Sequence, residues 1–300
     1  MKKFLEKKNY YSIFLFHGVV KHENFSIRNY TKKHITDKKF DSILEYLKKR
    51  GNPISLEELV YHKKNNINLP KKSFIITFDD GFENNYSIAA PILDNKRLPC
   101  TFYFSTDFIE NQNISWIDQI EICLEHTKKR EIINPLDNKN FIIDTNEKKI
   151  KFLNILRKKL KKDFNYDLNN VVKNICLSSK INPYEFKNKE LDKKISWAKV
   201  KKLKSSNLFT IGGHSHKHIS LASISKKEAI NQINKSFYLF KKRINLKLTH
   251  YSYPEGQKID YNKNLIKILK NKGIISCPTA IKGHNNLFND DLFHLKRIMI

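Results

Sequence analysis

Short apolar runs, each closed by a polar or glycine-containing loop and followed by a helical pattern, recur along this chain. That rhythm leaves few folds open. Tyr11–Phe16 (YSIFLF), Ser73–Phe78 (SFIITF), Thr101–Phe104 (TFYF) and Phe209–Ile211 read as strands, as do Thr249–Tyr253, Ile274–Cys277 and Leu295–Ile300. Between them lie helical stretches. Lys38 to Lys49 puts Phe40, Ile43, Leu44 and Leu47 on one face, and another helix is expected around Tyr86–Asn95. Ser55-Leu56-Glu57-Glu58 and the pair Ser225 and Glu228 have the spacing of capping boxes, the second opening a helix from Ala229 to Phe240; Asn264–Leu269 is a further helix. Strand–helix alternation of this kind predicts an α/β architecture, a parallel sheet or barrel wrapped by helices. A length of 300 residues suits a single barrel domain, and 40% hydrophobic residues suffice for its core. The rhythm breaks from about residue 111 to 196, where lysine-rich helical patches (Ile117–Glu125, Ile150–Leu160) appear without a strong strand. This segment reads as a mostly helical insertion.

Two motifs carry chemistry. In Thr77-Phe78-Asp79-Asp80-Gly81 an aspartate pair ends a buried-type strand, and parallel α/β folds gather their sites at such ends. Neighbouring side chains on an extended chain point opposite ways, so one carboxylate can hold a metal while the other faces a reacting water. Far downstream, His214-Ser215-His216-Lys217-His218 follows Gly212-Gly213. A spacing of four places His214 and His218 on one face of a helical turn and sends His216 the other way. With Asp80 they make a two-histidine, one-carboxylate set with open positions, suited to one divalent ion; zinc fits, and iron or cobalt use the same set. Cys100, Cys123, Cys176 and Cys277 are scattered without a C-x-x-C pair and read as reduced structural thiols.

With these motifs the chain resembles the polysaccharide deacetylase family, the NodB-homology carbohydrate esterases. The likeness runs from about Tyr11 to the end. The family's first motif, T-F-D-D-G, is matched by Thr77–Gly81, and its second, H-S/T-x-x-H, by His214–His218. The resemblance implies a distorted (β/α) barrel, Asp79 as general base, and Asp80, His214 and His218 as metal ligands. The third motif, usually R-x-P-x-G, reads Ser252-Tyr253-Pro254-Glu255-Gly256, with a serine where the arginine would stand. That is similar to a Y/F-x-Y-P-x-G branch. Arg297 can replace the missing arginine beside Asp79 or can form a surface salt bridge. The late L-x-H motif is not matched, because His294 precedes Leu295. His17, ending the first strand in Leu15-Phe16-His17-Gly18-Val19, is the better general acid, set against a purely structural role at the barrel mouth. The turn Tyr253-Pro254-Glu255-Gly256 would present a backbone N–H to an oxyanion, and Tyr253, Trp116 and Phe82 could stack on a sugar ring.

The expected activity is metal-dependent removal of an N-acetyl or related N-acyl group from an amino sugar, in surface polysaccharide assembly. Another N-acylated substrate stays open, as does a barrel that binds carbohydrate without turnover. A net charge of +27 raises nucleic acid or an anionic membrane as partners. Lysine, asparagine and isoleucine are abundant everywhere, however, so the charge reads as compositional. No specific nucleic acid is expected, and a weak membrane-surface attraction remains. Met1-Lys2-Lys3 has the charge of a signal-peptide start, but Tyr10 to Phe16 is short, is interrupted by Ser12 and lacks a cleavage site. No apolar stretch reaches the ~18 residues of a membrane span. The expected location is the cytoplasm.

Overall fold

A computed structural model describes residues 7–23 and 25–300; the charged start Met1-Lys2-Lys3 lies outside the described residues. The chain divides into two compact units, one made of Met1–Lys21, His34–Gln112 and Lys194–Ile300, the other of His22–Lys33 and Asn113–Lys193.

The first unit is built on parallel strands in the order Tyr10–Phe16, Ser73–Phe78, Cys100–Phe104, Phe209–Gly213. From there the ring continues through single parallel bridges, Gly213 to Tyr251, His250 to Ser276 and Lys282 to Arg297. It closes where Ile298–Met299 pairs in parallel with Phe14 and Leu15 of the first strand. The distortion of the barrel therefore sits in its last third. The sequence predicts full strands at Thr249–Tyr253 and Ile274–Cys277, and the structure gives isolated bridges instead. Pro254 and Pro278 flank these segments and cannot donate to a ladder, so regular pairing stops there.

The first three strands are buried on both faces almost throughout, as their apolar runs require. Their outer face stacks Phe16, Phe78, Phe102 and Phe104 into an aromatic row. Helix Asp37–Arg50 lays Phe40 edge-on against Phe16 and Phe78. The helix starts at Thr36, whose hydroxyl accepts from the Lys39 N–H, and Lys48, Lys49 and Arg50 fill its last turn, where cations suit the macrodipole. Side chains alternate along the Ser73–Phe78 strand. Ile75 joins the apolar plug of Tyr11, Ile13, Tyr103 and Leu295, whereas Thr77 and Asp79, two and four residues on, face a polar end. The capping box of Ser55 and Glu58 forms as the spacing predicts. At helix Lys226–Ile244 only half of it forms. Ser225 accepts from the Glu228 N–H, while the Glu228 carboxylate turns to Gln232, 2.8 Å away.

In the second unit helices Trp116–His126, Asn146–Leu160 and Leu168–Ser179 enclose a core of Ile120, Leu124, Phe152, Leu156 and Ile175. Its antiparallel pair Glu131–Ile133 and Asn140–Ile142 was not legible as strand, because each strand is three residues long and mostly exposed. No helix among the described residues is long and apolar enough to cross a membrane.

Candidate active site

The aspartate pair is shaped by a tight turn rather than by strand alternation. The Asp79 N–H still donates to the Phe16 carbonyl at 3.1 Å, extending the first ladder. Asp80 then takes φ +76°, and the Gly81 N–H donates back to the Asp79 carbonyl at 3.1 Å. A positive φ under an i to i+2 hydrogen bond marks a γ-turn, a strained conformation costing ~1–3 kcal/mol for a non-glycine residue. Gly81 continues at φ +89°, with its backbone so close to the Phe104 ring that a Cβ would lie 2.8 Å from it. The turn corrects the expectation that the carboxylates diverge. Both face one pocket, with Asp79 Oδ2 3.8 Å and Asp80 Oδ1 3.6 Å from His214 Nε2.

The histidines also meet by a different route from the one their spacing predicts. His214 to His218 is a loop, not a helical turn, with Ser215 at φ +61° and His218 at φ +52°. Hydrogen bonds hold its shape. The Ser105 hydroxyl donates to the His214 carbonyl, the Ser215 N–H to the Tyr251 hydroxyl, and the His218 N–H to the Ser215 hydroxyl. His214 Nδ1 lies 2.9 Å from the Ser252 carbonyl, to which only a protonated Nδ1 can donate, so its Nε2 is the lone-pair nitrogen facing the carboxylates. His218 Nε2 comes within 3.0 Å of Asp80 Oδ1, and the two rings are 4.9 Å apart. Phe108 stacks on His218 from outside at 5.6 Å. His216 turns away, to the Thr106 hydroxyl at 2.9 Å and toward Asp107.

Among the described residues, Asp80, His214 and His218 are the group that could hold a metal ion, their ligand atoms lying within 4.8 Å of one another. One observation tests the fit. Asp80 Oδ1 is buried yet makes no hydrogen bond, although His218 Nε2 is only 3.0 Å away. An oxygen without that geometry, facing two imidazole nitrogens, suits a cation between them. Protonation states agree. Burial pushes the His214 imidazole down to about 4 against the pull of Asp79, so it is neutral at neutral pH. Burial works to raise Asp80, but His218, with His17 and His214, outweighs it and holds the carboxyl well below its usual range.

Asp79 is gripped by Arg297. Nη1 and Nη2 donate to its two oxygens at 2.8 and 2.7 Å, a bidentate pair 218 residues apart in sequence. The same Nη2 donates to the Ser252 hydroxyl at 3.0 Å, and Nε to the Thr279 carbonyl at 2.6 Å. Arg297 is 1% exposed, which removes the surface salt bridge as an alternative. Ser252, at the place of the third motif's arginine, is thus a contact of an arginine that arrives from the last strand. Burial opposes ionisation of Asp79, and Arg297 with His214 overcomes it, leaving the carboxyl below its ordinary value.

His17 is half-buried at the end of the first strand and acts electrostatically on both Asp79 and Asp80. Its carbonyl accepts from the Asn85 side chain at 2.7 Å, and Asn85 lies in the π-helical turn Asn85–Ala89. His294 lies elsewhere. Its side chain is 48% exposed, near Asp291 and against Tyr261. The turn Tyr253-Pro254-Glu255-Gly256 is tight, with Glu255 at φ +60°, Gly256 at φ +63° and the Gly256 N–H donating to the Pro254 carbonyl at 2.7 Å. Sugar stacking on Tyr253 and Phe82 is overturned by burial. Tyr253 is 1% exposed, stacked on Tyr261 at 4.4 Å with its hydroxyl donating to Phe293. Phe82 is covered, with Lys194 Nζ 3.5 Å above its ring. Trp116 packs against the core of the second unit. Asn85, the Ser252 carbonyl and Phe108 went unforeseen. An asparagine at a helix start reads as surface, and a backbone carbonyl or core phenylalanine leaves no sequence signal of such a role.

A model of the polysaccharide deacetylase family matches residues 66–276. Over 95 residues the chain is 33% identical to a poly-beta-1,6-N-acetyl-D-glucosamine N-deacetylase of Staphylococcus aureus, a stretch covering 31% of this chain and 31% of that relative's length. The chain thus matches about a third of the curated relative. The fold is similar to IcaB from Ammonifex degensii, with TM-score 0.62, 16% identity, and 97% of this chain and 92% of the other covered. It is also similar to the Streptococcus pyogenes deacetylase PplD, solved in complex with acetate, with TM-score 0.61, 16% identity and coverage of 98% and 93%.

Proposed function

Because the chain belongs to the polysaccharide deacetylase family, we propose that it is a metal-dependent N-deacetylase acting on an N-acetylated amino sugar of a surface polysaccharide. One observation carries the reading: Asp80, His214 and His218 converge beside an aspartate whose two oxygens are held by a buried arginine. The substrate class follows what the Staphylococcus aureus relative's name says of that protein. We assign the chain to the branch in which the third motif is aromatic and Arg297 supplies the cation. Two nitrogens and one carboxylate oxygen suit zinc.

Asp80, His214 and His218 would hold the ion, which when bound supplies Lewis acidity that polarises the amide carbonyl and acidifies water. Asp79, ionised at neutral pH, accepts the proton of the attacking water, a contribution of about 10²- to 10⁴-fold. Arg297 fixes that carboxylate's orientation from behind. A backbone N–H near Glu255, at the tight Pro254–Gly256 turn, hydrogen-bonds the oxygen on which charge develops. His17 delivers a proton to the departing amine, which is otherwise too basic to leave.

The test is acetate release from N-acetylglucosamine oligomers by the purified chain, with metal content measured on the same sample. Metal-dependent acetate release is the expected result. A full complement of metal with no acetate from any N-acetylated sugar would replace this reading by a binding barrel.

A further inference from the structure

Two thiols that look unrelated in sequence are in contact in the fold. Cys123 Sγ and Cys176 Sγ lie 3.6 Å apart, across 53 residues of chain. Cys123 is on helix Trp116–His126 and Cys176 on helix Leu168–Ser179, which pack against each other within the second unit. Both belong to that unit's core, Cys123 fully buried and Cys176 partly open to solvent. The other two cysteines, Cys100 and Cys277, are buried in the barrel unit's core.

We propose that Cys123 and Cys176 are a modification site, an oxidisable dithiol that closes to a disulfide stapling these two helices. The sulfurs must approach from 3.6 Å to the ~2.05 Å of a disulfide bond. The co-reactant is a small-molecule disulfide. Cys176, the accessible thiol, attacks as thiolate and expels one thiolate of the oxidant, giving a mixed disulfide. The Cys123 thiolate then attacks Cys176 Sγ and expels the second. Two electrons pass to the oxidant, and the two protons shed by the cysteines end on its thiols. In the dithiol, burial and then Cys176 beside it push the Cys123 thiol up to about 12; burial persists in the mixed disulfide, so the second step quickens as pH rises. In a glutathione-buffered cytosol the pair stays reduced, whereas an oxidising compartment closes it. All four thiols are free in the structure, as the sequence reading expects; what that reading lacked is the contact between Cys123 and Cys176.

The experiment incubates the full chain at pH 8.5 with glutathione disulfide, then counts thiols under denaturation and maps peptides without reduction. Expected are two titratable thiols left of four, a Cys123–Cys176 cross-linked peptide, and a melting temperature raised by about 5 °C or more that a reductant restores. Cys176→Ala and Cys123→Ala should each abolish the oxidant-dependent rise while leaving the reduced protein folded. Four thiols after oxidation, a cross-link that includes Cys100 or Cys277, or a reaction that stops at a glutathione adduct on Cys176 would overturn the proposal.

Discussion

Both units bury charge, and they do opposite things with it. In the helical unit the charges pair off. Arg28 meets Asp192 at 2.6 Å and Glu121 at 3.6 Å, and Lys33 meets Asp118 at 2.8 Å. In the barrel unit Arg297 is satisfied by Asp79, but Asp80, His214 and His218 aim at a common point, and Asp80 Oδ1 makes no hydrogen bond. The acids respond in opposite directions. Asp79 and Asp80 are held below their ordinary values, whereas burial, helped by Asp118, pushes Glu121 up to about 7. Burial of a charged group is thus no mark of function. Convergence of metal-ligating atoms on one point is the feature that separates a site from a structural network, since Arg28 Nε in the helical unit is likewise buried without a hydrogen bond.

That distinction can be broken most sharply at the candidate ligands. His218→Ala should strip the metal and reduce acetate release to background, while His216→Ala, two residues away but facing Thr106, should keep near-normal occupancy. Equal metal loss in both would mean that the convergence is incidental. Next in size, Asp79→Asn should retain metal and lose about 10²- to 10⁴-fold in turnover, since the amide cannot accept the water's proton. Retention of more than a tenth of the wild-type rate would remove Asp79 as base. A smaller effect, about 10²-fold in kcat with unchanged metal content, is expected for His17→Ala, with little change for His294→Ala. The reverse ranking would move the general acid to His294.

The smallest effect lies in the helical unit and concerns stability alone. Burial, with Asp118 beside it, pushes Glu121 up to about 7 from its ordinary 4.5, so the folded state holds its proton more tightly. Its contribution is full below about pH 4.5 and is lost as pH rises through 7. Melting temperatures of the wild type should therefore fall over that window more than those of Glu121→Gln. Parallel slopes for the two proteins would show that the network, not burial, sets this carboxyl's charge.

What could be read from the residues alone was local. The T-F-D-D-G strand end and the H-x-x-x-H segment are contiguous, so a few covalent bonds hold each set of donors near one another whatever the backbone does. For that reason the candidate ligand set was legible even though its geometry was misjudged, a γ-turn at Asp80 and a loop at His214–His218 standing where alternation and a helical turn were expected. The capping box at Ser55 and the aromatic strands were legible for the same reason. What the tertiary structure alone decided joins distant parts of the chain. Closure of the barrel brings Arg297 to Asp79 across 218 residues, puts the Ser252 carbonyl under His214, and leaves His294 on the surface. Packing of two helices brings Cys123 to Cys176. No short-range pattern encodes such meetings, because each depends on the summed packing of every segment between the two residues.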